Sequence, residues 1–415
     1  MFDIKVLREN PEYVKKNAQR RGCDVDVDRL VELDKEYLSL VKAVEEMRAE
    51  RNRLSKEAGR NPEAREQVKA LKGKLAESET RMDECKAQVT EMMSWMPNFL
   101  SDEVPDGEDD TANVEVRVVG QKPQFDFEAR DHQAIGDILG IIDTVRGAKV
   151  AASGFYYWVG KGAQLTQAMY FWAQQELVKR GFTLFMSPCL AKEHTLYGTG
   201  YLPFFRDQTY PLKNEDLALI GTSEQTLVGY HADETLEADT LPRRYTAYTP
   251  CFRTEAGSYG KESRGIFRVH QFHKVEQIIY CLPEDSPKCH EECLANEEYL
   301  LQQLGIPYHV VNVCVGDMGA PGFKKYDIEA WYPGFNAYRE VTSNTNLTEF
   351  QSRRLNIRFK DKDRRGFVHT ISATGLTDRV VCAILENNQR ADGSVVVPEV
   401  LRPFTGFDVI EPPAK

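Results

Sequence analysis

Residues 251–276 read CFRTEAGSYGKESRGIFRVHQFHKVE. Two β-like runs flank a loop holding Gly257, Gly260 and Gly265, the pattern of a long antiparallel hairpin. Alternate residues of an extended strand share a face. Cys251, Arg253 and Glu255 are therefore expected on one side of the first strand. Arg268, His270, Phe272, Lys274 and Glu276 are expected on one side of the second. Arginine forks grip phosphate or carboxylate oxygens, a ring stacks on a base, and a carboxylate takes an ammonium or hydroxyl. Together these suit a nucleotide and an amino acid. Taken alone, the segment reads better as an exposed hairpin face with surface ion pairs.

Towards the N-terminus the period changes. Leu30, Leu33, Tyr37, Leu40, Val44, Met47, Arg51, Leu54 and Ala58 are spaced alternately three and four apart. Ala64, Val68, Leu71, Leu75, Ser78, Met82, Cys85, Val89, Met92 and Met96 repeat the rhythm. That is the a/d seam of a coiled coil, interrupted at Gly59-Arg60-Asn61-Pro62, where the chain can turn. Two helices of about 30 residues then form an antiparallel hairpin roughly 45 Å long. Its tip carries Arg48, Arg51, Arg53, Lys56, Arg60, Arg65, Lys69, Lys72 and Lys74 with fewer acids among them. Two readings stand: a solvated or oligomerising hairpin, and a lever whose basic tip meets RNA phosphate. Pro97 closes the second helix, and the acidic stretch SDEVPDGEDDTA at 101–112 reads as a linker. The expected domains are 1–112, containing the arm at about 28–97, and 113–415.

Beyond residue 113, short β-like runs (VEVRVV, YTAYTPCFR, YHVVNVCV) alternate with helical stretches at 162–180, 285–304 and 379–389. The region behind the helical arm is therefore expected to mix strands and helices. A net charge of −11 argues against a protein that coats nucleic acid non-specifically, but leaves room for a local basic patch. No apolar run approaches the roughly 20 residues of a membrane span, and MFDIKVLRENPEYVKK lacks the character of a signal or transit peptide. Nine scattered cysteines fit free thiols in the cytoplasm better than a disulfide framework. Cys289, His290 and Cys293 invite a zinc reading, but they sit in a helical pattern without a second paired cluster, so no zinc is expected.

RTEAGS…RGIFRVHQFHKVE resembles motif 2 of the class II aminoacyl-tRNA synthetases, in its seryl form. Residues 162–188 resemble motif 1, the dimer-interface element, and GLTDRVVCAILENNQ at 375–389 resembles motif 3. GTSEQ at 221–225, YREVTSN at 338–344, LYGTGYLPFF at 196–205 and VPEVLRPF at 397–404 are similar to further seryl signatures. The resemblance, to the bacterial and eukaryotic type, spans nearly the whole chain, arm included. It implies an α+β fold, an antiparallel sheet flanked by helices with the coiled-coil arm in front, and a homodimeric serine–tRNA ligase that makes seryl-adenylate from L-serine and ATP. The seryl group then passes to the 3′ end of tRNA(Ser), with tRNA(Sec) a second acceptor to consider.

On this resemblance Arg253 bridges the serine carboxylate and the α-phosphate, and Glu255 lies on the adenine side with Phe272 beneath the base. Arg268 and Arg379 meet the outer phosphates. Glu340 and Ser343 bind magnesium on the ATP, although strict alternation puts positions three apart on opposite faces unless the strand bulges. Thr222 and Glu224, on one strand face, hold the serine ammonium; Glu276 and Thr374 take its hydroxyl. Arg253, Glu340 and Arg379 are the catalytic set. Arg51, Arg53, Lys56, Arg60, Lys69 and Lys72 are the tRNA contacts. Motif 3 departs from the family in being one residue shorter, with Ser372 near the usual Asn and Asp378 before Arg379. Asp378 is expected to cap the helix, or else to place negative charge near the polyphosphate. Two rival readings remain: a paralogue loading a non-tRNA acceptor, and a non-catalytic RNA-binding paralogue.

Overall fold

The computed structural model describes residues 1–256 and 265–413. Gly257 and Gly260 of the hairpin loop lie outside the described residues, as do residues 414 and 415. Two compact units divide after Pro97.

In the first unit, helices Val27–Glu57 (α1) and Pro62–Ser94 (α2) pair along the seam that the heptads predict. Asp26 caps α1 by accepting from the Arg29 amide, and Asn61 caps α2 by accepting from the Glu63 amide. Leu30, Leu33, Val44 and Leu54 bury against Ala64, Leu75, Cys85 and Val89. At the base the seam passes from Met92 to Met93, which is more buried. Cross-helix pairs Arg48–Glu79 (2.7 Å) and Arg81–Glu36 (2.8 Å) are exposed, so the apolar seam holds the arm. At its base Arg8 forks onto the buried Asp34 with bonds of 2.7 and 2.8 Å.

The second unit is a mixed, mostly antiparallel sheet of eight strands. They are Val114–Val119 (β1), Thr183–Phe185 (β2), Arg243–Phe252 (β3), Gln271–Cys281 (β4), Tyr308–Asn312 (β5), Lys324–Tyr332 (β6), Ala337–Thr348 (β7) and His369–Thr377 (β8). Their order is β1-β5-β6-β7-β8-β4-β3-β2, with β2 alone parallel to its neighbour. Helices Lys161–Lys179 (α3), Ser286–Gln303 (α5) and Asp378–Asn387 (α6) pack on one face; the short helix Glu224–Gly229 (α4) belongs to the other. On β4, Val275, Ile279 and Cys281 enter the helix-side core. Ile278 and Tyr280 enter the core on the opposite side.

Residues 98–112 do not behave as a free linker. The Asn98 side chain donates to Pro321 O and Leu347 O, both at 2.9 Å, and Leu100 and Val104 pack with Val311, Val313 and Val315. Burial of two leucine-sized side chains outweighs the acidic composition there.

The second hairpin strand also starts later than its composition suggests. It begins at Gln271, so Arg268 and His270 precede it. Ile266, Phe267 and Val269 are all buried; two neighbours on the core side break the alternation a strand needs. Gly265, at φ +72°, passes so close to His132 that a Cβ there would lie 2.2 Å from its Nε2. His132 in turn bonds Glu386 through Nδ1 at 2.8 Å, both side chains fully buried. Glu386 also accepts from the amides of His132 and Gly334, each at 2.9 Å. Removing the carboxylate strands all three donors. Glu386→Ala is expected to cost about 3 kcal/mol and to lower the apparent melting temperature by several degrees, with Glu386→Gln costing less. Differential scanning fluorimetry of the three proteins checks this.

Candidate active site

The face of the sheet away from α3, α5 and α6 carries a cleft of about 510 Å³. Its floor is set by register. Ala247, Thr249 and Cys251 of β3 lie opposite Glu276, Lys274 and Phe272 of β4, so small side chains face large charged or aromatic ones and leave space above. Burial pushes the Cys251 thiol up to about 11, which keeps it inert.

Glu224, Arg253, Glu255, Arg268, Glu276 and Ser343 share the cleft wall. Thr222 and Glu224 are not on a strand: Thr222 lies in a turn and Glu224 opens α4. The turn lets the Thr222 hydroxyl donate to Glu276 Oε2 at 2.8 Å and accept from the Glu224 amide at 3.2 Å. Its proton is therefore committed to Glu276, and one lone pair remains for a substrate ammonium. Glu224 accepts from Tyr201 OH at 3.2 Å and from Gln351 Nε2 at 2.6 Å. Burial, then the nearby Glu276 charge, raises its carboxyl above the usual range. Glu276, only 1% exposed, also forms an ion pair with Lys274 on Oε2. Thr374 stands directly across from Glu276 in β8 and is buried behind the wall, which Ser372 lines instead.

Arg253 stands with its guanidinium carbon 5.1 Å from the centre of the Phe272 ring. Arg268 bonds Glu255 at 2.6 Å, so these two expected ATP contacts neutralise each other. Glu340 and Arg379 are outside that wall and pair with each other at 3.2 Å, while Arg379 Nη1 also donates to the Glu340 carbonyl. Partial burial opposes ionisation of Glu340, but Arg379 and Lys325 outweigh it and leave the carboxyl below its ordinary value.

The metal question turns on β7. Ser343 pairs with Asp327 and Glu340 with Glu329, because the register shifts and Val341 bulges out. One extra residue returns positions 340 and 343 to a common face. A carboxylate and a hydroxyl there fit magnesium, which takes one or two protein oxygens and completes its shell with phosphates and water. Cys289, His290 and Cys293 lie buried in α5, where His290 Nε2 faces the Asn344 carbonyl at 3.0 Å.

Asp378 does not cap α6: Thr377 is the N-cap, and neither side chain makes a capping bond. Its carboxylate accepts from Trp158 Nε1 at 3.1 Å and from the His273 amide at 2.6 Å. Those partners draw it below the sheet and away from the phosphate side of the cleft. Sequence reasoning also missed Gln351, which carries no local signal, and Tyr201, inside a quoted motif; it put Lys274 on the right face of its strand but gave it no role. On the arm, Arg53 is tied to Glu50 at 2.6 Å and Glu57 at 3.5 Å.

Residues 1–100 match the family Seryl-tRNA synthetase N-terminal domain, and residues 209–388 match the tRNA synthetase class II core domain (G, H, P, S and T). The chain is 44% identical to the serine–tRNA ligase of Thermobifida fusca over the full length of both. It is 42% identical to that of Rubrobacter xylanophilus, covering 99% of each. Among solved structures it resembles seryl-tRNA synthetase from Pyrococcus horikoshii complexed with ATP, with a TM-score of 0.95, 38% identity and full coverage of both chains. It also resembles the cytoplasmic serine–tRNA ligase of Naegleria fowleri in complex with AMP, with a TM-score of 0.90, 31% identity, and coverage of 100% of this chain and 99% of that one.

The raised Glu224 carboxyl has a consequence for stability. The folded chain holds this proton above the ordinary value of 4.5, where the unfolded chain releases it. Its contribution favours the fold at low pH and fades as pH rises towards the raised value. As pH rises above the ordinary value of 4.5, Glu224→Gln should lose less melting temperature than the unsubstituted protein; parallel slopes in thermal melts would refute the assignment.

Proposed function

The chain belongs to the seryl-tRNA synthetases, and from that membership we propose which of its residues perform the family's two steps. It activates serine with ATP and joins it to tRNA, as a ligase. The observation that carries the residue assignment is the placement of Arg253 in one cleft with the half-buried Glu224 and the buried Glu276.

Serine enters with its ammonium at Glu224 and with its hydroxyl at Glu276. Thr222 orients Glu276, and Thr374 supports it from the adjoining strand. Arg253 holds the serine carboxylate in line with the α-phosphorus and stabilises the charge that develops there. A carboxylate oxygen attacks that phosphorus, a P–O bond forms, and diphosphate leaves. Phe272 supports the adenine and Glu255 reads its edge, once Arg268 has left Glu255 for the outer phosphates. Arg379 joins it there, at the N-terminus of α6, whose free amides favour an anion. Magnesium bound with ATP would neutralise phosphate charge; Glu340 and Ser343 would hold it. In the second step a 3′-terminal ribose hydroxyl attacks the seryl carbonyl and AMP leaves.

Arg51, Arg53, Lys56, Arg60, Lys69 and Lys72 on the arm are the proposed tRNA contacts, with Arg53 exchanging its intrahelical acids for phosphate. tRNA(Ser) is the acceptor, and tRNA(Sec) is assayed beside it. A homodimer is supported by the apolar side chains that α3 and β2 leave exposed, Phe171, Val178 and Leu184, with Met186 fully exposed just beyond. A cytoplasmic setting is supported by nine free thiols. No helix among the described residues is long and apolar enough to cross a membrane.

ATP–diphosphate exchange with each amino acid, followed by charging of tRNA, tests the reading. Serine-dependent exchange and charging are expected, and Arg253→Ala should lower exchange about 100-fold or more. Exchange without charging would favour a paralogue that loads another acceptor; no exchange at all would favour an RNA-binding paralogue. Replacing Arg60, Lys69 and Lys72 by Glu should raise KM for tRNA and flatten its salt dependence, with exchange as the reference. Unaltered tRNA kinetics would make the arm structural only.

A further inference from the structure

Glu276 holds its place at the bottom of the cleft by an unequal division of its two oxygens. The Thr222 hydroxyl and the Lys274 ammonium both settle on Oε2. Lys274 and Glu276 are two apart on β4 and so share a face, and their cross-strand neighbours Thr249 and Ala247 are too small to fill the space between them. Lys274 is itself 7% exposed and lines the cleft beside Glu276. With two donors on Oε2, Oε1 is the oxygen left for a ligand.

Other acidic groups lie around Glu276. Glu224 reaches it from α4 and the buried Glu297 from α5. Tyr201 and Cys251 are the other acidic groups close to it, and Arg253 stands beyond Cys251 on the same wall. The ammonium in direct contact is that of Lys274. An ionised carboxylate only accepts hydrogen bonds, so it demands a donor from whatever occupies the pocket; a protonated one can donate and demands nothing.

We propose that Lys274 is a specificity-determining positioning residue, which fixes Glu276 as a one-sided acceptor so that only an amino acid bearing a side-chain hydroxyl satisfies the pocket. This rests on the reading that Glu276 meets the serine hydroxyl. A site built to bond a hydroxyl rejects the analogue lacking it by leaving a buried group unpaired. Lys274 is what makes alanine leave such a group behind.

The test uses the full-length protein in ATP–diphosphate exchange with serine and with alanine. Lys274→Met keeps the length of the side chain and removes the charge. The expected result is a serine KM raised about tenfold or more and a serine-to-alanine kcat/KM ratio lowered about tenfold or more, with KM for ATP within about twofold. Lys274→Arg, which retains the cation, should recover most of the ratio. An unchanged ratio in Lys274→Met, or serine and ATP KM rising together, overturns the proposal. So does Lys274→Arg matching Lys274→Met, and that arm decides the matter if the methionine variant does not fold. Glu276→Gln separates the two layers. If it keeps the normal serine-to-alanine ratio, the reading of Glu276 itself fails; if it loses the ratio while Lys274→Met keeps it, only the role of Lys274 fails.

Discussion

The two-residue alternation of β4 is the constraint on which the rest of the second unit depends. Val275, Ile279 and Cys281 point into a core shared with α3, α5 and α6, and Lys274 and Glu276 point the other way, into the cleft. A slip of one residue would put a lysine and a glutamate into hydrocarbon and aliphatic side chains into the cleft. Burial of the odd-numbered set therefore fixes the chemistry of the even-numbered set. Two bulges then adjust the neighbours. One at Val341 brings Glu340 and Ser343 to a common face, and one at Gly375 sets Thr374 opposite Glu276. At Gly375 a Cβ would sit 3.0 Å from a Val275 methyl, a close approach that favours glycine.

Charge at that face is arranged before any substrate arrives. Lys274 answers Glu276, Lys325 answers Asp327 at 2.8 Å, and Arg268 answers Glu255 at 2.6 Å. Burial still pushes Asp327 up to about 7, and Lys325 is raised because Asp327 outweighs its own burial. Paired charges in the cleft need little rearrangement when a zwitterion binds, since it brings one charge of each sign. Glu224 is the exception. Its hydrogen bonds come from neutral groups, Tyr201 and Gln351, so it is the carboxyl with most to gain from an incoming ammonium.

The arm was legible from sequence because its stability is local and periodic: heptads, an Asn61–Pro62 start and Gly59 in the turn appear one after another along the chain. The three long helices of the second unit were legible for the same reason. The site was legible in composition and less so in shape. Arg268 and His270 were expected on a strand, yet Ile266 and Phe267 bury side by side and bend the chain over His132, a residue far away in sequence. Thr222 and Glu224 show period two without being extended, since a turn running into a short helix can place them on one wall as well. Gln351 could not be found at all; its role comes from bonding Glu224, Thr370 and the Thr199 carbonyl, which only the fold brings together.

Asp378 shows how a departure from a family's pattern can be absorbed. An acid in the first turn of α6, beside an arginine assigned to phosphates, would weaken an anion site if its charge faced the cleft. The carboxylate turns instead to the Trp158 indole and the His273 amide, and it is 2% exposed. His273 follows Phe272 on β4, and alternation sends its side chain to the same lower side of the sheet. The bond therefore ties the start of α6 to the strand that carries Phe272, Lys274 and Glu276. Arg379, the next residue, is then held with its guanidinium 3.2 Å from Glu340 and 4.6 Å from the centre of the Phe267 ring. A glycine or proline at position 378 would shape the helix start by backbone alone, whereas an aspartate does it by reaching two separate elements. The local rule is broken at 378, and the compensation lies in Trp158, an indole with its one donor aimed at the acid.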